Sequence, residues 1–496
     1  MKKTLQLFTI ALLIGFSLST QAERGDFVSA AKIESLNLEE IAALYTQYDL
    51  NIFLETIPIE HEVDFYKIVY ETIDAFEVPV NSSGLIALPI GVDNDMSILQ
   101  YNHGTTRNTN QSDMEGGEWF ISLAVSAGGD YVGIMPDYLG YGESACTAIH
   151  GYNMNKPLGR DGADMIRAVR TFCEDISVGL DGKIFVTGYS EGGYAAMAVA
   201  KEAQENLPDL DLTAVAPLSG AYQVYPLTRD FIIDPVSENS NNLSYIIYAY
   251  NNVYDIIGDL SEAILPPYDT VIPEMWNECN PGPSNLPQYA YEMVDSTYLN
   301  EILNDPNHPV NVALKENNIY DWVPEMPMRM CYCLQDEQVP FMNAILTADT
   351  MNLRGAECVE SYEIGDLDHN GCAPFALLNS KQWFDNIRKL DNPLDICEKD
   401  EEPIDSTGVG ILDLNNLVES YNIYPNPAED FVVFESTVFD GNGYELQLFD
   451  LKGRLLVQQQ STAAKTQIDV SSFDAGIYII RVKDQGQVFN QKFVVN

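Results

Sequence analysis

One short stretch constrains this chain more than any other. Ile184-Phe185-Val186 ends an apolar strand, Gly188-Tyr189-Ser190-Glu191-Gly192 follows, and an Ala-rich helix runs over Gly192–Glu205. A strand that turns this sharply into a helix brings two backbones almost into contact. Only small residues fit there, and Gly188, Gly192 and Gly193 supply the space. The serine is then presented on a strained turn, with the free N–H groups of a helix N-terminus beside it. Such a turn belongs to a sheet buried on both faces.

The flanking sequence agrees. Val63–Thr72 and Leu85–Pro89 read as strands, Ser97–Tyr101 as a short apolar strand, Glu115–Ala127 as a helix and Tyr131–Met135 as a buried strand. Asp161–Glu174 has helical spacing, Lys183–Thr187 is a strand and Leu212–Leu218 another. Strands alternating with helices predict an α/β domain around a mostly parallel sheet. The alternation stops at about residue 221 and resumes at Met328–Leu334. The intervening stretch is rich in Tyr, Asn and Pro and holds one clear helical candidate, Leu243–Ile257. That is too long for a loop and predicts a helical cap over residues 221–327. Phe341–Met351 then reads as a helix, Cys358–Ile364 as a strand and Ala373–Leu390 as a closing helix.

The rest of the chain is different in kind. Residues 398–417 are charged, carry Pro and Gly, and read as a linker. Residues 418–496 alternate apolar and polar positions in short runs between turns such as Asp440-Gly441-Asn442-Gly443. That spacing predicts a small all-β, Ig-like sandwich. At the other end, Lys2 and Lys3, the apolar run Leu5–Leu18 and Thr20-Gln21-Ala22 predict a signal peptide over 1–22. The main domain would then span 23–397, with no transmembrane segment after cleavage.

The formal net charge of −48 excludes the Lys/Arg surface that nucleic acid requires and would repel anionic polymers. Eight cysteines in an exported chain suggest disulfides. Cys331 and Cys333 lie on one strand and are expected to point to opposite faces, so they should not pair with each other. No Cys/His spacing resembles a zinc site, and no cofactor is expected.

A serine hydroxyl needs a base to take its proton. Of His61, His103, His150, His308 and His369, only His369 lies between the Cys358–Ile364 strand and the closing helix. That is where this strand–turn–helix arrangement places the base. Asp336, just past the Met328–Leu334 strand, is the candidate that orients it. Glu337 is a rival, and Asp366 and Asp368 lie near His369 in sequence. Two N–H donors should face the developing oxyanion: that of Glu191, next to the serine, and that of Thr105 in His103-Gly104-Thr105-Thr106. His103 reads as a support for this loop, and Asp137–Gly142 as the pocket floor.

Tyr101-Asn102-His103-Gly104-Thr105, Pro136-Asp137-Tyr138-Leu139-Gly140, Gly188–Gly193, Asp336-Glu337-Gln338-Val339-Pro340 and His369 together resemble the secretory lipase family over roughly residues 60–390. The resemblance implies an α/β-hydrolase fold, hydrolysis of carboxylic esters, and a Ser190–Asp336–His369 triad. Members commonly carry Gln where this chain has Asn102. Tyr424-Pro425-Asn426-Pro427, Phe449–Gly453, Gly476-Ile477-Tyr478 and Lys492–Val495 resemble the sorting domain of the type IX secretion system. That likeness implies export across the outer membrane, with the secretion machinery as partner, and a secreted or cell-surface enzyme. A serine peptidase could use the same triad. A non-catalytic surface binding protein would not need every catalytic position filled.

Overall fold

The computed structural model describes residues 24–47, 57–107, 110–115, 117–397, 421–436, 443–450, 454–474, 476–484 and 487–495. The signal segment at 1–22 and the linker at 398–417 lie outside the described residues. The main domain is an α/β-hydrolase. Its nine strands are β1 (Phe27–Leu36), β2 (Glu62–Ile73), β3 (Pro79–Ile90), β4 (Met96–Asn102), β5 (Tyr131–Pro136), β6 (Leu180–Tyr189), β7 (Ala214–Leu218), β8 (Met328–Cys333) and β9 (Val359–Gly365). They lie in the order β1-β2-β3-β5-β4-β6-β7-β8-β9. The first three pairings are antiparallel, and every pairing from β5 onward is parallel.

The helices of the main domain are α1 (Leu38–Gln47), α2 (Trp119–Ala127), α3 (Asn155–Asp175) and α4 (Glu191–Asn206). In the cap, α5 (Ser240–Tyr254), α6 (Tyr268–Met275), α7 (Ser296–Asn304) and α8 (Pro309–Glu316) follow. The sheet domain then ends on α9 (Met342–Leu353) and α10 (His369–Arg388). The core is split by the sheet. One side gathers Ile98, Val186, Ile166 and Ala196 against α3 and α4; the other gathers Leu99, Phe185, Leu123 and Phe384 against α2 and α10. Strands buried on both faces read as continuous apolar runs, which is why β4 to β8 were recognisable.

Four sequence expectations change. β1 and α1 fill the stretch after the signal segment, whose pattern in the sequence is mixed, because β1 is an edge strand with mostly exposed side chains and no alternation. The helix expected at Glu115–Ala127 begins only at Trp119. Glu118 is instead drawn aside to accept the Tyr101 hydroxyl (2.8 Å) and the Gly104 N–H (3.1 Å). The closing helix starts at His369 rather than Ala373, because Asp368 caps it by accepting the Gly371 N–H at 2.7 Å. The cap carries four longer helices where one was legible, and their short, Pro-interrupted segments explain why.

Three disulfides join Cys146–Cys279, Cys333–Cys372 and Cys358–Cys397, while Cys173 and Cys331 are free and buried. The faces of Cys331 and Cys333 are a further correction: side chains two apart on a strand share a face, and both point toward α10, where Cys333 bonds Cys372 and Cys331 Sγ lies 3.7 Å from Asn379. The first bridge ties the cap to the loop after β5.

The C-terminal part has two antiparallel sheets. One contains β10 (Tyr421–Tyr424), β11 (Phe431–Ser436) and β14 (Lys465–Asp469); the other contains β12 (Tyr444–Asp450), β13 (Leu455–Ser461), β15 (Gly476–Asp484) and β16 (Gln487–Val495). Val432, Phe434 and Ile468 from the first meet Leu446, Leu448, Ile480 and Phe493 from the second in one core. Phe449 packs edge-on against Phe341 of the main domain, with centroids 5.6 Å apart.

Candidate active site

Each of the five residues singled out from sequence follows the carboxyl end of a parallel strand. Thr105 follows β4, Ser190 and Glu191 follow β6, Asp336 follows β8 and His369 follows β9. Parallel sheets place their sites at this edge, because the loops there converge.

Ser190 has φ +61° and ψ −118°, a conformation that non-glycine residues rarely adopt. Its surroundings hold it there. Ser190 N–H donates to the Leu218 carbonyl at 2.9 Å. A Cβ on Gly192 would overlap the Asn102 carbonyl oxygen, and one on Gly193 would overlap that of Leu218. The glycines are therefore demanded by close approach of β4 and β7. Glu191 is the first residue of α4, so its N–H has no carbonyl one turn back to bond.

The His369 ring is fixed from one side by Asp336, whose carboxylate oxygens lie 2.9 and 2.8 Å from Nδ1. A carboxylate can only accept, so Nδ1 carries a proton, and in the neutral ring Nε2 keeps its lone pair. Asp336 Oδ1 also accepts the N–H groups of Gln338 (3.0 Å) and Val339 (2.8 Å). Both side chains are buried, at 5% and 1% exposure for His369 and Asp336. Glu337, the rival acid, accepts the His369 backbone N–H at 3.0 Å, while the ring Nδ1 is held by Asp336. Asp368 is occupied as a helix cap. The Tyr189 hydroxyl donates to the His369 carbonyl at 2.5 Å, which ties the turn before Ser190 to the histidine.

Thr105 lies on the loop that Glu118 shapes, and its hydroxyl donates to Tyr152 at 3.3 Å. His103 is buried, with Nδ1 2.8 Å from the Gly104 carbonyl and Nε2 3.2 Å from that of Asp137. It holds the β4 and β5 loops together. His308 caps α8, and His61 lies 3.5 Å from Asp130. Of the pocket-floor residues, Asp137 accepts from Ser83 (2.5 Å) and from the Ser112 N–H (2.8 Å).

A cavity of about 890 Å³ opens over this edge and touches Asp336 and Thr105. Its wall is mixed, with Asn239, Asn242, Gln335 and Glu337 on one hand and Phe231, Val236, Met275, Trp276 and Leu334 on the other.

Residues 103–224 match the secretory lipase family. Residues 422–496 match the secretion system C-terminal sorting domain, so the chain is an exported protein of the cell surface or the medium. No curated protein matches the sequence. The fold is similar to a candidate hydrolase of Legionella pneumophila (TM-score 0.68, 23% identity, covering 74% of this chain and 99% of that one). It is also similar to the rice cell wall degrading esterase LipA of Xanthomonas oryzae (0.63, 22%, 74% and 97%). Candida antarctica lipase A in its closed state is more distant (0.57, 13%, 76% and 83%). These likenesses show the fold, and with the family match they make this secretory-lipase-like chain a hydrolase of the lipase and esterase type. Among the described residues no helix is long and apolar enough to cross a membrane.

One contact near the site has no signal in the sequence. The Glu191 side chain is buried and bonds His150 Nε2 at 2.5 Å. The pair is 41 positions apart, so nothing local in the sequence announces it.

Proposed function

We propose that the protein is a secreted serine carboxylester hydrolase in which Ser190 is the nucleophile. The observation that carries the reading is the grip of Asp336 on His369 Nδ1, with the His369 carbonyl bonded by Tyr189, the chain neighbour of a serine held at positive φ. Nε2 of His369 takes the Ser190 proton as Oγ attacks the ester carbonyl. Asp336 keeps the imidazole in the right tautomer and stabilises the imidazolium. The tetrahedral oxyanion is met by the N–H groups of Glu191 and Thr105. Collapse releases the alcohol, which takes the proton from His369. Water, deprotonated by His369, then attacks the acyl-enzyme and frees the acid and Ser190.

The cavity favours short or polar esters over long acyl chains. Its wall is rich in amides and carboxylates. The wholly apolar pocket inside the cap, between Ile232, Ile246, Leu299 and Leu314, offers only about 60 Å³. The similarity to a cell wall degrading esterase supports an esterase reading in the same direction.

The test is a series of p-nitrophenyl esters from acetyl to palmitoyl, run beside peptide p-nitroanilides. An optimum at acyl chains of about two to four carbons agrees with the amides and carboxylates along the cavity wall. An optimum at long chains would reverse the substrate preference, and turnover of the anilides alone would overturn the ester reading.

A further inference from the structure

His150 sits on the loop after β5, and its imidazole is almost wholly buried, at 1% exposure. Nδ1 lies 3.1 Å from the Leu139 carbonyl. A carbonyl oxygen can only accept, so Nδ1 must carry a proton. Nε2 lies 2.5 Å from Oε1 of Glu191, whose side chain is equally buried. One proton therefore lies between them, and the couple has zero net charge whichever partner holds it. The rings of Tyr138, Tyr141, Tyr152 and Tyr245, with centroids 5.1 to 6.4 Å away, surround the imidazole and keep water out.

The Glu191 backbone N–H is the one that should meet the oxyanion, and its side chain could place a full negative charge beside the same point. In a dry site that charge would oppose the oxyanion strongly. Its partner His150 cancels it, and the short bond also pins the first residue of α4.

We propose that His150 is a positioning residue for the oxyanion hole, neutralising and fixing Glu191 so that its N–H can stabilise the transition state; this rests on the serine-hydrolase reading above. The loop that carries His150 is itself fastened to the cap. His150 N–H donates to Glu278 (3.3 Å), Tyr248 donates to the other oxygen of Glu278 (2.7 Å), and Cys146 is bonded to Cys279.

The test compares wild type with His150→Gln and with His150→Gln/Glu191→Gln, each first titrated with a fluorophosphonate. Wild type that does not label at Ser190 sinks the serine-hydrolase reading itself. If it labels, His150→Gln, which leaves a bare carboxylate, should lose about a hundredfold in kcat with KM within about twofold. Affinity for a boronic acid that forms a tetrahedral adduct should fall in parallel. The double variant, a neutral amide pair, should regain at least about tenfold of the lost kcat. A merely structural histidine would give no such rescue and no selective loss of boronate affinity. Unchanged kcat in His150→Gln, unchanged boronate affinity, or no recovery in the double variant would each overturn the proposal. If His150→Gln does not fold, His150→Asn, alone and combined with Glu191→Gln, decides by the same readouts.

Discussion

The Tyr189 hydroxyl donates to the His369 carbonyl over 2.5 Å, so the residue before the nucleophile holds the backbone of the base. The two rings also lie 5.0 Å apart. Together with the bond from His369 N–H to Glu337, this fixes the start of α10 from two sides. Tyr189→Phe should lower kcat by about tenfold with little change in KM, and cost about 1 kcal/mol of stability. Steady-state kinetics and a urea melt measure both.

Asp336→Asn tests the tautomer. An amide can donate to Nδ1, which would move the imidazole proton to Nε2 and remove the base. Ester turnover should fall by about ten-thousandfold while the unfolding midpoint changes little. Glu337→Gln should fall by far less, because Glu337 bonds the backbone of His369 and not its ring. Equal losses in the two variants would contradict the assignment.

The buried carboxyl of Asp161 provides a pH signature of stability. Burial raises it to about 7, against the bonds from Ser82 and Tyr70 that lower it. Asp164 is raised to about 6, again by burial, with Arg24 opposing. An unfolded carboxyl titrates near 4, so between about 4 and 7 the folded chain holds protons that the unfolded chain has released. Stability should therefore fall as pH rises through that window. Asp161→Asn should flatten the fall in melting temperature between pH 5 and pH 8. An unchanged slope would show that Asp161 is ionised in the fold.

The cap should depend on its bridge. The Cys146–Cys279 disulfide closes a separation of 133 residues. Replacing both cysteines by serine should destabilise the main domain by about 2–4 kcal/mol and speed proteolysis within the cap. Thermal melts and limited digestion would show it.

The catalytic module should not need the sorting domain. Residues 23–397, expressed alone, should keep kcat for short esters within about threefold, because the site residues all precede the linker. Phe449 and Arg454 reach the main domain from the C-terminal part, and Arg454 lines the cavity, so KM is where a change would appear.

Much of this was legible because steric demands are local. Gly188, Gly192 and Gly193 mark where β6 and α4 close on their neighbours, and no other residue types fit. The buried parallel strands announce themselves as apolar runs. Asp336 and His369 could be placed by their position after β8 and β9, and the structure brings them into contact. Other features depend on partners remote in sequence. Edge strand β1 has no buried face to pattern it, the cap helices are short and interrupted by Pro273 and its like, and His150 finds Glu191 only when two loops meet. The start of α10 was misplaced because its cap, Asp368, sits beside Asn370, Gly371 and Pro374, which together read as a loop.

The most direct test of the central claim is stoichiometric labelling with a fluorophosphonate, followed by peptide mapping. The account predicts one label per chain, on Ser190, absent in Ser190→Ala and slowed by at least about a thousandfold in His369→Ala, with ester turnover lost in step. Labelling at another residue, or full ester turnover in Ser190→Ala, would contradict it.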